Sequence, residues 1–204
     1  GTAALLICAS LIVMFVSGSN IKMFIVSAFG SLAVLAMAVW QNPNRLERFI
    51  AFLDLEAHKT GFGLQQWRAQ LAMGEGGISG LGLGEGREKL MYMPFAHTDF
   101  IFPMIGEELG ARITLSVVLI FVLILVFGVS ISNSAPDRFG KLLGFGLIIL
   151  ISLQALLNVA VTTGCLPNKG LPLPFVSYGG SNLLFCLAAV GIILNIYRQG
   201  HEPV

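Results

Sequence analysis

Five stretches of this chain are apolar over close to the length a helix needs to cross a lipid bilayer, about 20 residues. They are Gly1–Gly18, Lys22–Trp40, Ile113–Ala135, Leu142–Gly164 and Asn182–Tyr197, the last extended by Gly179–Ser181. Backbone amides in lipid must be satisfied within the chain, so runs of this kind fold as helices. The expected class is an all-α integral membrane protein, a polytopic helical bundle. Of the 204 residues, 55% are hydrophobic and 11% charged, against about 25% charged in an ordinary soluble domain. So little charge cannot coat a water-facing surface, which excludes a soluble globular protein. A formal net charge of +1 supplies no field to gather nucleic acid. Cys8, Cys165 and Cys186 are too few and too far apart for a disulfide framework or a CxxC metal site; beside apolar runs they read as inert thiols.

The charge is concentrated. Sixteen of the 23 charged residues lie between Gln41 and Arg112, so the membrane domain, taken as one unit over 1–204, carries a polar insert. Within it, Gly61–Gly74 is ambiguous. It holds Gln65, Gln66, Arg68 and Gln70 among apolar residues, and an arginine at mid-membrane costs about 2.5–3.5 kcal/mol. Either it crosses with its polar face against protein, or it lies in the interface. If it crosses, one side of the membrane carries Arg45, Arg48, Lys59, Arg138, Lys141 and Arg198, and the other Lys22, Arg87, Lys89, Arg112 and Lys169. The positive-inside rule then favours the first set as cytoplasmic, by a thin margin. No basic segment precedes Gly1–Gly18, so a signal peptide is not expected. Gly1 opens straight into an apolar run without a start Met, as expected of a fragment.

Two stretches stand out from the apolar background. One is Gly74–Gly110, GEGGISGLGLGEGREKLMYMPFAHTDFIFPMIGEELG, and the other is Leu166–Leu184, LPNKGLPLPFVSYGGSNLL. The prolines Pro167, Pro172 and Pro174, with Gly170, Gly179 and Gly180, forbid a regular helix through the second. Irregular backbone at membrane depth survives only where it packs in protein or lines a cavity. In the first, Asp99 precedes an apolar helix; it reads as a helix cap or solvated carboxylate, or as a functional acid, since a charge at the membrane edge is costly unless used. The glycines from Gly80 to Gly86 fit neither GxGxxG nor GxxxxGK[ST], and no strand precedes them; tight turns and close packing are the expected role. Glu107 and Glu108 read as helix-opening acids, one within helical reach of Arg112. Gln154 and Asn158 lie one turn apart in an otherwise uncharged run.

Both stretches resemble the SEDS family of membrane glycosyltransferases, the FtsW/RodA/SpoVE group, which polymerises peptidoglycan from lipid II. The matching residues are Gly82-Leu83-Gly84, Lys89-Leu90, Tyr92, Pro94, Ala96 to Phe102, Ile105 to Gly110, Leu166-Pro167, Lys169 to Phe175 and Ser177 to Ser181. Gly1-Thr2 and Arg45 with Phe52-Leu53-Asp54 also fit, so the resemblance covers essentially the whole chain. Phe95 stands where the family usually has Glu; Pro103, Asn168, Asn182 and Glu75 are further departures, and none removes the Asp or the Lys. The resemblance implies ten spanning helices, of which this chain would hold about six, with Gly61–Gly74 as a true crossing. It also implies a large extracytoplasmic catalytic loop over 75–110 and a Pro/Gly-rich extracytoplasmic loop over 165–181.

The resemblance makes Asp99 the catalytic residue. A carboxylate within reach of the attacking sugar hydroxyl can take its proton as the polyprenyl pyrophosphate leaves, and a roof of Phe95, Phe100 and Phe102 would raise its pKa. Lys169, Arg87 and Lys89 are the cations available to the pyrophosphate, although each could instead snorkel at the interface. His97 could orient Asp99 or substrate, or serve as a structural donor. Ser177 and Tyr178 fall in the matched motif at the substrate site; neither has a base beside it in sequence, so a nucleophilic serine is not expected. No metal-ligand spacing is present, and a divalent cation, Mg or Mn, would be shared with the substrate. The implied partners are lipid II, a class B penicillin-binding protein transpeptidase and other division or elongation proteins. This chain has no SxxK signature to cross-link with. The implied location is the bacterial inner (cytoplasmic) membrane, at the division septum. A lipid II flippase with the same cavity, or a non-catalytic division scaffold, are the alternatives.

Overall fold

The computed structural model describes residues 1–86 and 98–201. Among these the chain is helical without strands: α1 Thr2–Val16, α2 Ile21–Trp40, α3 Pro43–Leu53, α4 Leu64–Gly76, α5 Ile101–Asn133, α6 Arg138–Thr162 and α7 Gly180–His201. Four of them, α2, α5, α6 and α7, are long and apolar enough to cross a membrane, and α1 is a shorter apolar helix of 15 residues. The starts are set locally. Asp137 caps α6 by accepting from the amides of Phe139 and Gly140, Asn20 caps α2 through Lys22 N, and Pro43 at the first position preorganises α3.

The 33-residue α5 is not one rod. Gly110 has φ 78 and ψ 178, and Gly106 lies against Thr114, with 3.5 Å from its Cβ position to Thr114 Cγ2. Eight residues of straight helix would separate them by about 12 Å. Phe102 likewise shares a cluster with Val117, Val118 and Phe121. The chain therefore reverses at Gly110, and a first limb, 101–109, packs antiparallel to a second, 111–133. Only glycine serves there: beyond the positive φ, any Cβ would meet the backbone of Ile78 and Gly80.

The ends of the helices define two sides. Gly1 rests on Gly170 and Leu171, while Arg138 Nη2 donates to Ser17 O at 2.7 Å, so α1 runs from the side of the last loop to the side where α6 begins. The second limb of α5 descends against α6, Gly128 on Ile148 and Ser132 on Gly144. α7 ends with Gly200 against Ser134. α2 returns from α1, and its end is tied to α3 by Arg45 Nη1 donating to Ala38 O at 3.0 Å. Arg45, Arg48 and Lys169 all lie within electrostatic reach of Gly1. α3 thus sits on the side of the last loop. Its Leu46, Phe49, Ile50 and Leu53, at helical spacing, are exposed, as befits a helix lying in the interface plane.

The same geometry corrects the expected crossing of Gly61–Gly74. α4 has 13 residues, about 20 Å against a hydrocarbon core of about 30 Å. It begins where α6 ends, with Gln66 Nε2 donating to Val161 O and Leu166 O, both at 2.9 Å. It then runs beside the first limb of α5, Ala69 and Ala72 against Phe100 and Met104, and Gly76 against Gly106 and Glu107. Gln66 is thus used on carbonyls at and just beyond the end of α6, and Gln65 on Asn168 of the last loop, rather than on a path through lipid. Five helical segments join the two sides instead of the expected six, and residues 41–110 that are described all belong to one side. Cysteines introduced at Arg45 and Glu85 in the full-length protein, with Cys8, Cys165 and Cys186 replaced, should react with an impermeant maleimide from one face of the membrane. Those at Arg138 and Gln199 should react from the other. Opposite labelling of Arg45 and Glu85 would restore the crossing.

Candidate functional site

The site is built where the start of the first limb of α5 meets the last loop. Asp99 closes the turn before the first limb. The helix's N-cap is Phe100, with no side-chain capping bond, so the reading of Asp99 as a helix cap does not hold. Phe100 and Phe102 bury on two different clusters, one with Ala69, Ala72 and Met104 and the other with Ala155 and Leu173. They anchor the turn on both flanks; the third expected roof residue, Phe95, lies outside the described residues.

What covers Asp99 is backbone. Gly170 of the last loop stands against its Oδ2 so closely that a Cβ there would collide with the carboxylate. Asn158, on α6, donates from Nδ2 to Asp99 O at 2.8 Å and to Leu171 O at 2.6 Å. One turn earlier, Gln154 Nε2 donates to Pro172 O at 2.7 Å and to Asn182 Oδ1 at 3.0 Å. Asn168 Nδ2 donates to Gln65 Oε1 on α4 at 3.0 Å. The departures Asn168 and Asn182 are therefore both bonded into the walls. Burial raises the Asp99 pKa from its ordinary value.

Lys169, next to Gly170 in the chain, is exposed. Ser177 is buried, and its Oγ accepts from Leu173 N at 2.7 Å, which closes the loop's turn; Tyr178 is 83% exposed and projects away. Arg87, Lys89 and His97 lie outside the described residues. Glu107 and Glu108 end the first limb rather than opening a helix: their carbonyls accept from Leu81 N and Gly82 N, both at 2.9 Å. The Gly-rich segment thus caps the limb by close packing, as its composition suggests. With Gly110 a reversal, Arg112 belongs to the other limb, out of helical register with Glu107 and Glu108. Among the described residues no cluster of three His, Cys, Asp or Glu forms. Residues that sequence reasoning passed over without a role are Asn158, Gln154, Gln66 and Gly170. The signal for the first two was visible, a pair of amides one turn apart in an apolar helix.

Beneath the site an apolar cavity of about 280 Å³ opens between α1, α5 and α6, lined by Ile12, Val118, Phe121, Leu125, Ile149 and Leu156 among others. Val118, Phe121 and Val159 of its lining also pack on the cluster of Phe102, Ala155 and Leu173, so the cavity lies against the inner side of the packing that anchors the Asp99 turn.

Because burial raises the pKa of Asp99 in the folded protein, its ionisation opposes folding at neutral pH. That cost is absent below the unfolded-state pKa and complete above the raised folded one. Asp99→Asn should raise the Tm of the purified protein at neutral pH, and the gain should vanish as the pH falls below the ordinary carboxylate range. Equal Tm values across that range would mean that the carboxylate is not desolvated.

Comparison with known proteins places these features. The FtsW/RodA/SpoVE family model, described as "Cell cycle protein", matches residues 1–202. A probable peptidoglycan glycosyltransferase FtsW of Trichlorobacter lovleyi is 42% identical over 196 residues, 96% of this chain and 51% of that protein. Stage V sporulation protein E of Bacillus subtilis is 36% identical over 198 residues, covering 97% of this chain and 54% of that one. A solved chain from a study of the structural coordination of polymerization and crosslinking by a peptidoglycan synthase complex superposes with a TM-score of 0.78 at 26% identity. It covers all of this chain and 56% of its own. The chain spans about half the length of the curated relatives it matches. Motifs, helical membrane architecture and family match agree: this chain is a multi-pass membrane protein that belongs to the FtsW/RodA/SpoVE family.

Proposed function

We propose that the protein containing this chain is a peptidoglycan glycosyltransferase that polymerises lipid II into glycan strands during cell division, with Asp99 as general base. The observation that carries this reading is the half-buried Asp99 carboxylate held against Gly170, with the exposed Lys169 next to Gly170 in the chain and an apolar cavity against the packed cluster of Phe102 and Leu173. A lipid-linked sugar diphosphate has the matching three parts. Its polyprenyl chain suits the groove, its pyrophosphate needs a cation such as Lys169, and the attacking sugar hydroxyl needs a base. As the C–O bond forms at the anomeric carbon, Asp99 takes the hydroxyl proton and the pyrophosphate departs as an anion. A single base suffices for such a displacement. Arg87, Lys89 and His97 join the proposal on the sequence motif alone, as further substrate contacts; Ser177 enters as the residue that keeps the loop shaped.

The described residues do not assemble a protein-held metal site, so a divalent Mg or Mn is proposed only as a companion of the pyrophosphate, and no step is routed through it. The short loops on the side of Ser17 and Ser134, together with the helix ends beside them, carry Lys22, Arg138, Lys141 and Arg198. Counted in the same way, the short last loop on the other side carries Lys169, and the start of the second limb of α5 carries Arg112. The positive-inside rule, which has most force in short loops, makes the first side cytoplasmic. The site then faces outward across the inner membrane, where a class B penicillin-binding protein would cross-link the product, at the septum if the division role holds.

Three variants in the full-length protein, assayed by gel for glycan chains made from purified lipid II, test the reading. Asp99→Asn should lower polymerisation by about 10²–10⁴-fold, the usual worth of a general base. Wild-type activity should fall with a single ionisation as the pH drops through the raised Asp99 pKa, at a higher pH than an ordinary carboxylate would give. Lys169→Ala should cost about 10- to 150-fold, as loss of a charge-assisted contact does, whereas Arg198→Ala on the opposite side should cost little. A folded Asp99→Asn protein that polymerises near normally would falsify the base assignment and favour a flippase or scaffold.

A further inference from the structure

We infer that Asn158 is a positioning residue for the reaction, the clamp that sets Asp99 against the last loop. This rests on the reading of Asp99 as the base. Asn158 is 2% exposed on the wall of α6, and both of its donated bonds go to backbone carbonyls of segments that are not helical, Asp99 O at 2.8 Å and Leu171 O at 2.6 Å. Both acceptors are carbonyls, so only the NH₂ face of the amide can point at them. Its Oδ1 is buried without a partner among the described residues. An amide that tolerates an unsatisfied oxygen in order to present two donors is committed to those two bonds.

The consequence is geometric. Asp99 and Leu171 are 72 positions apart in sequence, and one side chain holds their backbones at a common distance. Gly170, adjacent to Leu171, is what presses on the Asp99 carboxylate. With the amide gone, the turn at Asp99 and the loop at Gly170 lose their shared anchor, and water gains access to the carboxylate. Gln154, one turn earlier, grips the same loop at Pro172 O but makes no bond to the Asp99 turn. Ionisable groups on the elements around Asp99 are Arg68 and Glu75 on α4, Glu107 and Glu108 on the first limb and Lys169 on the loop; α6 presents only uncharged Asn158 and Thr162 there. Burial is what raises the pKa of Asp99. A change in its exposure is therefore readable in the pH profile.

The experiment compares Asn158→Ala and Gln154→Ala in the full-length protein, reading initial rates of lipid II polymerisation against pH and lipid II binding separately. Misplacement of a base by about an ångström costs on the order of 10²-fold. Asn158→Ala should lower kcat by about that factor, leave lipid II binding within a few-fold, and move the acid limb of the profile to lower pH, as a better-solvated Asp99 ionises more readily. Gln154→Ala should leave the acid limb where it is. Asn158→Ser, which can still donate to one carbonyl, should fall between Asn158→Ala and wild type, and it supplies the readout if the alanine variant does not accumulate. The proposal is overturned if the acid limb of both Asn158 variants coincides with that of wild type, or if Gln154→Ala shifts it equally. If Asp99→Asn is active, the base reading itself has failed, whatever Asn158 does.

Discussion

Two amides projecting from a helix that is otherwise apolar on that stretch hold the structure together where it is least regular. The last loop, fixed by prolines, offers carbonyls at Leu171 and Pro172 that no helix or strand satisfies; Asn158 and Gln154 supply the missing donors. At membrane depth an unpaired carbonyl costs several kcal/mol, so the loop can dip to this level only where α6 meets it. From that contact the remaining placements follow. Leu173 packs under Phe102, Gly170 reaches Asp99, Asn168 ties to α4, and Gly1 rests on Gly170 and Leu171.

The second constraint is the reversal at Gly110. It converts what composition presents as one long apolar helix into a short outward limb and a spanning one. The short limb needs company along its length, and α4 with the Gly-rich segment provides it. Glycine is required where Gly76 meets Gly106 and where Gly80 meets Gly110, because no side chain fits between backbones so close. The polar insert is thereby a packed cap over the bundle. Glu107 and Glu108 hold that cap through their carbonyls and the Glu108 carboxylate, which leaves Asp99 as the half-buried carboxylate beside the last loop.

Desolvation of Asp99 links architecture to chemistry. Burying a carboxylate raises its pKa and makes it a stronger base, at a cost in stability that the rest of the fold must offset. A cation held tightly beside it would do the opposite. In the proposed reaction Lys169, next to Gly170 in the chain and exposed, keeps positive charge available to an anionic leaving group.

Much of this was readable in the sequence. The apolar runs determine a membrane bundle, because no other fold satisfies their backbone in lipid, and the prolines of 166–181 announce an irregular loop. The two motifs single out Asp99 and Lys169 and carry the family. Tertiary structure decided the rest. Hydropathy could not tell whether Gly61–Gly74 crosses, because its glutamines are tolerable in either setting until their partners, Val161, Leu166 and Asn168, about a hundred residues away, are in place. Nor could a local pattern distinguish Gly110 as a reversal from a glycine tolerated within a helix, since the difference is set by Ile78 and Gly80 packing against it. Asn158 was visible only as an amide in the wrong company. Its partners, the backbone of Asp99 and Leu171, come together solely through the fold.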